Sequence, residues 1–229
     1  MLPHKRIGKP KEDYWLGLLD GIYAISLTLL VLELPNILKE SFALFEGQNL
    51  INTAIPTFIV IANGLFNYIF IFFILYEFWC FHRASIKLTC LQKRWQNLFN
   101  SFLLANICLL PVTKYFVLTE ELQTISNKAY ELNERNIWKF FFEYLNTTPG
   151  IHLVYIQCIF FFITLILLLS KTKDNKSLDI KHIKNESKKR ILIFLSLFTF
   201  HYVLTLPLNL INICYLLYSN YERKPYQNE

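Results

Sequence analysis

Twenty consecutive residues without an Asp, Glu, Lys or Arg, IHLVYIQCIFFFITLILLLS at positions 151–170, decide what solvent this chain can fold in. As a helix rising about 1.5 Å per residue, such a segment covers about 30 Å, the thickness of a bilayer's hydrocarbon core. In lipid an unpaired backbone N–H or C=O costs several kcal/mol, so a spanning segment must be a helix or part of a closed barrel. Barrel strands run to about ten residues and alternate in polarity; this run does neither. Other apolar runs lie at about 14–34, 50–79, 95–118 and 191–219. Charged residues make up only 17% of the chain, below the roughly 25% of a soluble domain. The sequence therefore predicts an all-α integral membrane protein, with residues 1–229 forming a single transmembrane domain.

The first run, 14–34, is too long for the apolar core of a signal peptide, and the ELPNILKE after it offers no small-x-small cleavage pattern. Pro35 is expected to end it. In the second run, 50–79, Pro56 and Gly64 suggest a bend, and Trp79 followed by Arg83 reads as an interfacial belt and flank. The third, 95–118, carries Asn97, Asn100 and Asn106, amides that ordinarily bond neighbouring helices for about 1 kcal/mol each. An external loop over 119–149, with amphipathic IWKFFFEYL inside it, and a basic cytoplasmic linker over 171–190 flank the fourth run. The last stretch has Pro207 near its middle and reads as one long kinked helix or as two short ones, 191–205 and 207–219. Lys5, Arg6, Lys9 and Lys11 precede the first span, and Arg83, Lys87, Lys93 and Arg94 follow the second. Glu40, Glu46, Glu120, Glu121, Glu131 and Glu134 mark the alternate loops. Positive residues stay on the cytoplasmic side, so the N-terminus is placed there. Arg223 and Lys224 in the tail favour six transmembrane helices over five. The expectation is a multi-pass protein of the cell (plasma) membrane, with the lipid bilayer as its surroundings.

The net charge of +6 is explained by these flanks and does not call for nucleic acid; no glycine-rich phosphate loop or basic–aromatic array accompanies it. Cys80, Cys90, Cys108, Cys158 and Cys214 are scattered without a CxxC pair, and there is no HExxH. No metal site, no cofactor and no enzyme activity is expected.

On a helical wheel at about 100° per residue, Gly17, Gly21, Ala24 and Thr28 of the first span share one side, a small-xxx-small stripe that permits close backbone approach. Leu18, Ile22, Ile25, Leu29 and Leu32 form the stripe beside it, and Tyr23, Leu27, Leu30 and Leu34 the far side. Periodicity alone describes a tightly packed inner helix. Asp20 is favoured by the positive end of the helix, and if buried it needs a donor from a neighbour, with His82, Trp95 and Asn97 as candidates. Glu33, at the other end, reads as a solvated interfacial charge.

The stretch LLDGIYAISLTLLVLELP, preceded by a basic segment, resembles the first helix of the transmembrane protein 175 family of potassium channels, whose bacterial members share an FSDGVFAIAITLLVLxI-like opening. FWCFHR resembles that family's second-helix ending and NLFNSFLLANICLLP its third-helix pattern. Of the family's Arg-x-x-x-Phe-Ser-Asp motif, whose positions here hold Tyr14, Leu18, Leu19 and Asp20, the Asp is retained. The resemblance implies a homotetramer of prokaryotic type, one six-helix repeat per subunit, with the first helix lining a central pore. It also implies selection by a ring of branched apolar side chains, and no carbonyl filter such as TVGYG occurs here. By position the ring residue is Ile25, with Leu29 and Leu32 continuing the constriction and Thr28 supplying a hydroxyl; Asp20, His82, Trp95 and Asn97 would form the structural network near the pore entrance. The function implied is a potassium-selective leak channel, with potassium as permeant ion and the constriction as filter and gate. A secondary transporter and a non-conducting membrane scaffold stay open as alternatives.

Overall fold

The computed structural model describes residues 12–43, 50–89, 91, 93–129, 151–170, 178–204 and 208–222. Among these every regular element is an α-helix, in the order α1 (Glu12–Ala43), α2 (Leu50–Thr89), α3 (Arg94–Ala129), α4 (Ile151–Ser170), α5 (Leu178–Leu204) and α6 (Leu208–Glu222). Among the described residues, three stretches are long and apolar enough to cross a membrane: Asp13–Asn36 of α1, Gly64–Thr89 of α2 and His152–Ser170 of α4.

Several helices outrun the expected spans. Proline removes one intrahelical hydrogen bond, yet α1 continues through an exposed Pro35 to Ala43. Likewise α3 carries Pro111 inside it and runs on to Ala129, so the segment expected to be external loop from 119 begins as helix; the rest of it, with IWKFFFEYL, lies outside the described residues. Residues 178–190, expected to be linker, are the first half of α5. High charge hides an amphipathic repeat there: Ile180, Ser187 and Arg190 are buried and Ile183 partly so. The last apolar stretch resolves into two helices, α5 ending at Leu204 and α6 starting at Leu208.

The long α2 touches each of the other described helices. On one side α1 packs against α2 and α3, while α4 lies between α3 and α5. Aromatic rings form much of the core. Phe78 of α2 stacks on Phe161 of α4 with centroids 3.7 Å apart, and Phe162 meets Phe78 edge-on at 5.6 Å. The series continues through Phe194 of α5 to Tyr215 of α6, whose centroids lie 4.9 Å apart. Lipid tails are as apolar as these side chains, so the gain comes from close packing and interhelical hydrogen bonds more than from expelling water. Asn106 donates to the Gln157 carbonyl at 3.0 Å and Gln157 to Thr113 Oγ1 at 2.8 Å, joining α3 to α4; Tyr155 donates to Asn212 at 2.8 Å, joining α4 to α6.

The short α2–α3 connection fixes how those helices meet. Leu91 adopts a left-handed φ of 41°, unfavourable for a branched side chain, and is held there by burial. Lys93 caps α3: its carbonyl accepts from Asn97 N–H at 3.2 Å, while Gln96 Oε1 reaches back to Lys93 N–H at 2.9 Å, half of a capping box.

Candidate functional site

The site centres on α1, whose two sides face different surroundings. Leu19, Tyr23, Ser26 and Leu30 are buried against the bundle, whereas Ile25 is 62%, Leu29 47% and Leu32 63% exposed. Gly17, Gly21, Ala24 and Thr28 lie beside them, Gly17, Gly21, Ala24 and Thr28 all on the same open side. Apart from Ile22, which is partly buried against the core, both stripes singled out on the helical wheel lie on the open side, and the side opposite them is the packed one. Only 22% of the apolar window of α1 is buried, against 44% and 50% for those of α2 and α4. A Cβ added to Gly17 or Gly21 meets nothing within 4 Å. The open side is free of charge from Gly21 to Leu32. Thr28 Oγ1 donates to the Ala24 carbonyl at 2.8 Å, so what the hydroxyl turns outward is its oxygen. At the far end Glu33 accepts from Asn36 at 3.2 Å in an exposed pair.

Asp20 is anchored on α2. Its Oδ1 accepts from Trp79 Nε1 at 2.7 Å, and Arg83 Nη1 lies 3.0 Å from Oδ2 and 3.2 Å from Oδ1. Arg83 also stands 5.2 Å over the Trp79 ring, a cation–π contact. Trp79 and Arg83 are four residues apart and so share a helix face. The partners expected for Asp20 were His82, Trp95 and Asn97; the geometry gives the role to Trp79 and Arg83. His82 points about 60° away from Trp79 around α2, is fully buried, and bonds Asn100 of α3 at 2.7 Å. Trp95 is 63% exposed, and Asn97 is partly buried, with its carbonyl taking a bond from Ser101. Tyr14 is 68% exposed and Leu19 is buried in the core; among the described residues the guanidinium at Asp20 comes from α2. With Arg83 on both oxygens, the Asp20 charge is paired within the subunit, beside the open face.

A second polar cluster lies deeper. Glu77 of α2 and Arg190 of α5 pair at 3.0 Å with side chains only 5% and 6% exposed. Tyr215 of α6 donates its hydroxyl to Glu77 Oε2, and Glu186 takes the other side of the guanidinium. Arg190 also lies over the rings of Phe81 and Tyr218. The sequence carries one signal for this cluster: an acid inside an apolar run demands a buried cation, and Arg190 stands at the edge of the last such run. Among the described residues no three His, Cys, Asp or Glu side chains gather where a metal could sit. Cys80, Cys108, Cys158 and Cys214 form no disulfide among the described residues, and Cys90 lies outside them.

The family model described as endosomal/lysosomal potassium channel TMEM175 matches residues 16–111. That stretch takes in the open face of α1, the Asp20–Trp79–Arg83 anchor and the His82–Asn100 contact. No curated protein and no solved structure matches the chain.

Proposed function

With residues 16–111 assigned to the TMEM175 potassium channel family, we propose that this chain is a potassium-selective, leak-type channel. Four copies assemble around an axis with α1 innermost, each subunit contributing six spans to the plasma membrane and keeping its N-terminus in the cytoplasm. The observation that carries this reading is the open, uncharged face of α1, where Ile25, Leu29 and Leu32 are exposed in the single subunit. Brought together around an axis, those faces make a narrow apolar tube. Ile25 to Leu32 covers about 10 Å of helix, two turns of constriction.

Such a tube selects without a carbonyl filter. An ion passing rings of Ile and Leu must give up part of its hydration, and a dewetted constriction is itself a gate. Potassium holds its water less tightly than sodium, so its barrier is lower. Ile25 forms the tightest ring, and Leu29 and Leu32 extend it. The outward oxygen of Thr28 returns one ligand to the partly stripped ion. Asp20, held by Trp79 and Arg83, fixes the rotation of α1 about its axis, and His82–Asn100 fixes α2 against α3; Trp95 and Asn97 flank the same end.

Ion flux from liposomes containing the purified protein tests the reading. The channel predicts potassium efflux well above sodium efflux, without saturation. Saturable, proton-coupled flux would indicate a secondary transporter, and no flux of any ion a scaffold.

A further inference from the structure

The polar half of α5 has an outer face that the channel reading leaves unused. Within this one unbroken helix, residues 178–190 are polar and 191–204 apolar. The inner side is buried and charge-balanced: Arg190 is held by Glu77 and Glu186, and Glu186 also takes Lys189 at 2.8 Å. Lys181, Lys184, Lys188, Leu192 and Leu195 follow one another at spacings of three and four residues, one stripe along the helix. Lys181 and Lys188 are exposed, Lys184 is half-buried, and Leu192 and Leu195 are 66% and 46% exposed. A single outward stripe therefore changes from basic to apolar along the helix axis. Asp179, the acid remaining in this half, lies about 180° around the helix from Lys188.

The packing sets the depth of the change. Arg190 lies between Glu77 and Phe81 of α2, while Phe194 meets Tyr215, which reaches Phe70. So α5 runs opposite to α2, and Lys184 and Lys188 come level with Arg83, the flank at which the sequence predicts the membrane surface. Above that level the stripe is cationic, and below it the stripe is apolar. We propose that this stripe binds an anionic phospholipid, its acyl chain along Leu192 and Leu195 and its phosphate between Lys188 and Lys184, with Lys181 adding longer-range attraction. The Lys184 ammonium is held below the ordinary lysine range by burial and by the neighbouring Lys188 charge; a phosphate between the two relieves that repulsion. The proposal rests on the membrane reading of the chain and is independent of conduction.

Native mass spectrometry of the full chain, titrated with phosphatidylglycerol and with phosphatidylcholine of the same acyl chains, tests it. The wild type should hold the first phosphatidylglycerol about fivefold tighter per lysine engaged. K188Q, an exposed change, should lose about fivefold, K184Q/K188Q should lose the preference altogether, and K39Q on α1 should keep it. Equal affinity of the wild type for the two lipids, or a preference that survives in K184Q/K188Q, overturns the proposal. So does inorganic phosphate that displaces the lipid at matched concentration, which would mark a site for soluble anions.

Discussion

Replacing Arg190 with Met is the perturbation with the largest expected cost in stability. The Glu77 and Arg190 side chains are 5% and 6% exposed, so solvent screens them little. Removing one partner of such a pair leaves an uncompensated buried charge and costs about 3–5 kcal/mol. The structure makes the two single changes unequal. Without Arg190, Glu77 keeps only the Tyr215 hydroxyl among the contacts described; without Glu77, Arg190 keeps Glu186. R190M should therefore approach the upper end of that range, whereas E77Q should cost about 1.5–3 kcal/mol, the scale of lost hydrogen bonds to a charged group. Y215F falls on the same scale. The double variant E77Q/R190M buries no unpaired charge in this pair and should return most of the stability lost in R190M. Reversible unfolding in mixed micelles against mole fraction of dodecyl sulfate measures all four. Since a domain's total stability is about 5–15 kcal/mol, R190M should also lower folded yield. A loss below about 1 kcal/mol in R190M, or a double variant as weak as the sum of the singles, would refute the reasoning.

The Asp20 anchor is more exposed, its ion pair having side chains 36% and 39% exposed, so R83Q should cost only about 1 kcal/mol or less in the same unfolding assay. On the proposed reading Asp20 is a post and no ion ligand, so D20N should leave the potassium-to-sodium permeability ratio unchanged in liposomes; a changed ratio would make Asp20 part of the ion path. Gly21 has open space around it within the subunit, so G21L should fold as well as the wild type or better by up to about 1 kcal/mol. In the proposed tetramer the same residue would face a neighbouring copy, so G21L should lower the fraction of tetramer seen by mass photometry; an unchanged fraction would count against α1 as the inner helix.

How far the sequence could be read depended on which interactions leave a periodic trace. The grouping of α1 into stripes was legible because a helix wheel needs only spacing, but which side packs was not: periodicity described a tightly packed helix, whereas Tyr23 and Leu30 are packed and Ile25, Leu29, Leu32 and the small-residue stripe lie open within the subunit. Asp20 was legible as a residue needing a donor, since a carboxylate in a membrane helix is costly until a neighbour neutralises it. Its partners were not, because their choice depends on the rotation of α2, which turns Trp79 and Arg83 toward α1 and His82 toward α3. Helix ends were hidden by a different effect. Pro35 looks like a terminator in sequence, but a proline costs the helix only part of its hydrogen bonding, and α1 runs on through it to Ala43. The first half of α5 was masked by its charge, since Ile180 and Ile183 are too few to stand out among lysines. Glu77, Arg190 and Tyr215 lie more than a hundred residues apart at the extremes, and only the assembled bundle brings them together.

The central claim is that Ile25 forms the selecting ring, and the measurement that reaches it most directly is the potassium-to-sodium permeability ratio of Ile25→Asn. This change replaces a branched apolar wall with an amide that can hold water, and its site is 62% exposed on the subunit, so folding is spared. In planar bilayers under bi-ionic conditions the wild type should show a ratio well above one, and Ile25→Asn should bring it close to one while total conductance rises. A ratio unchanged from wild type, with conduction intact, would contradict the account.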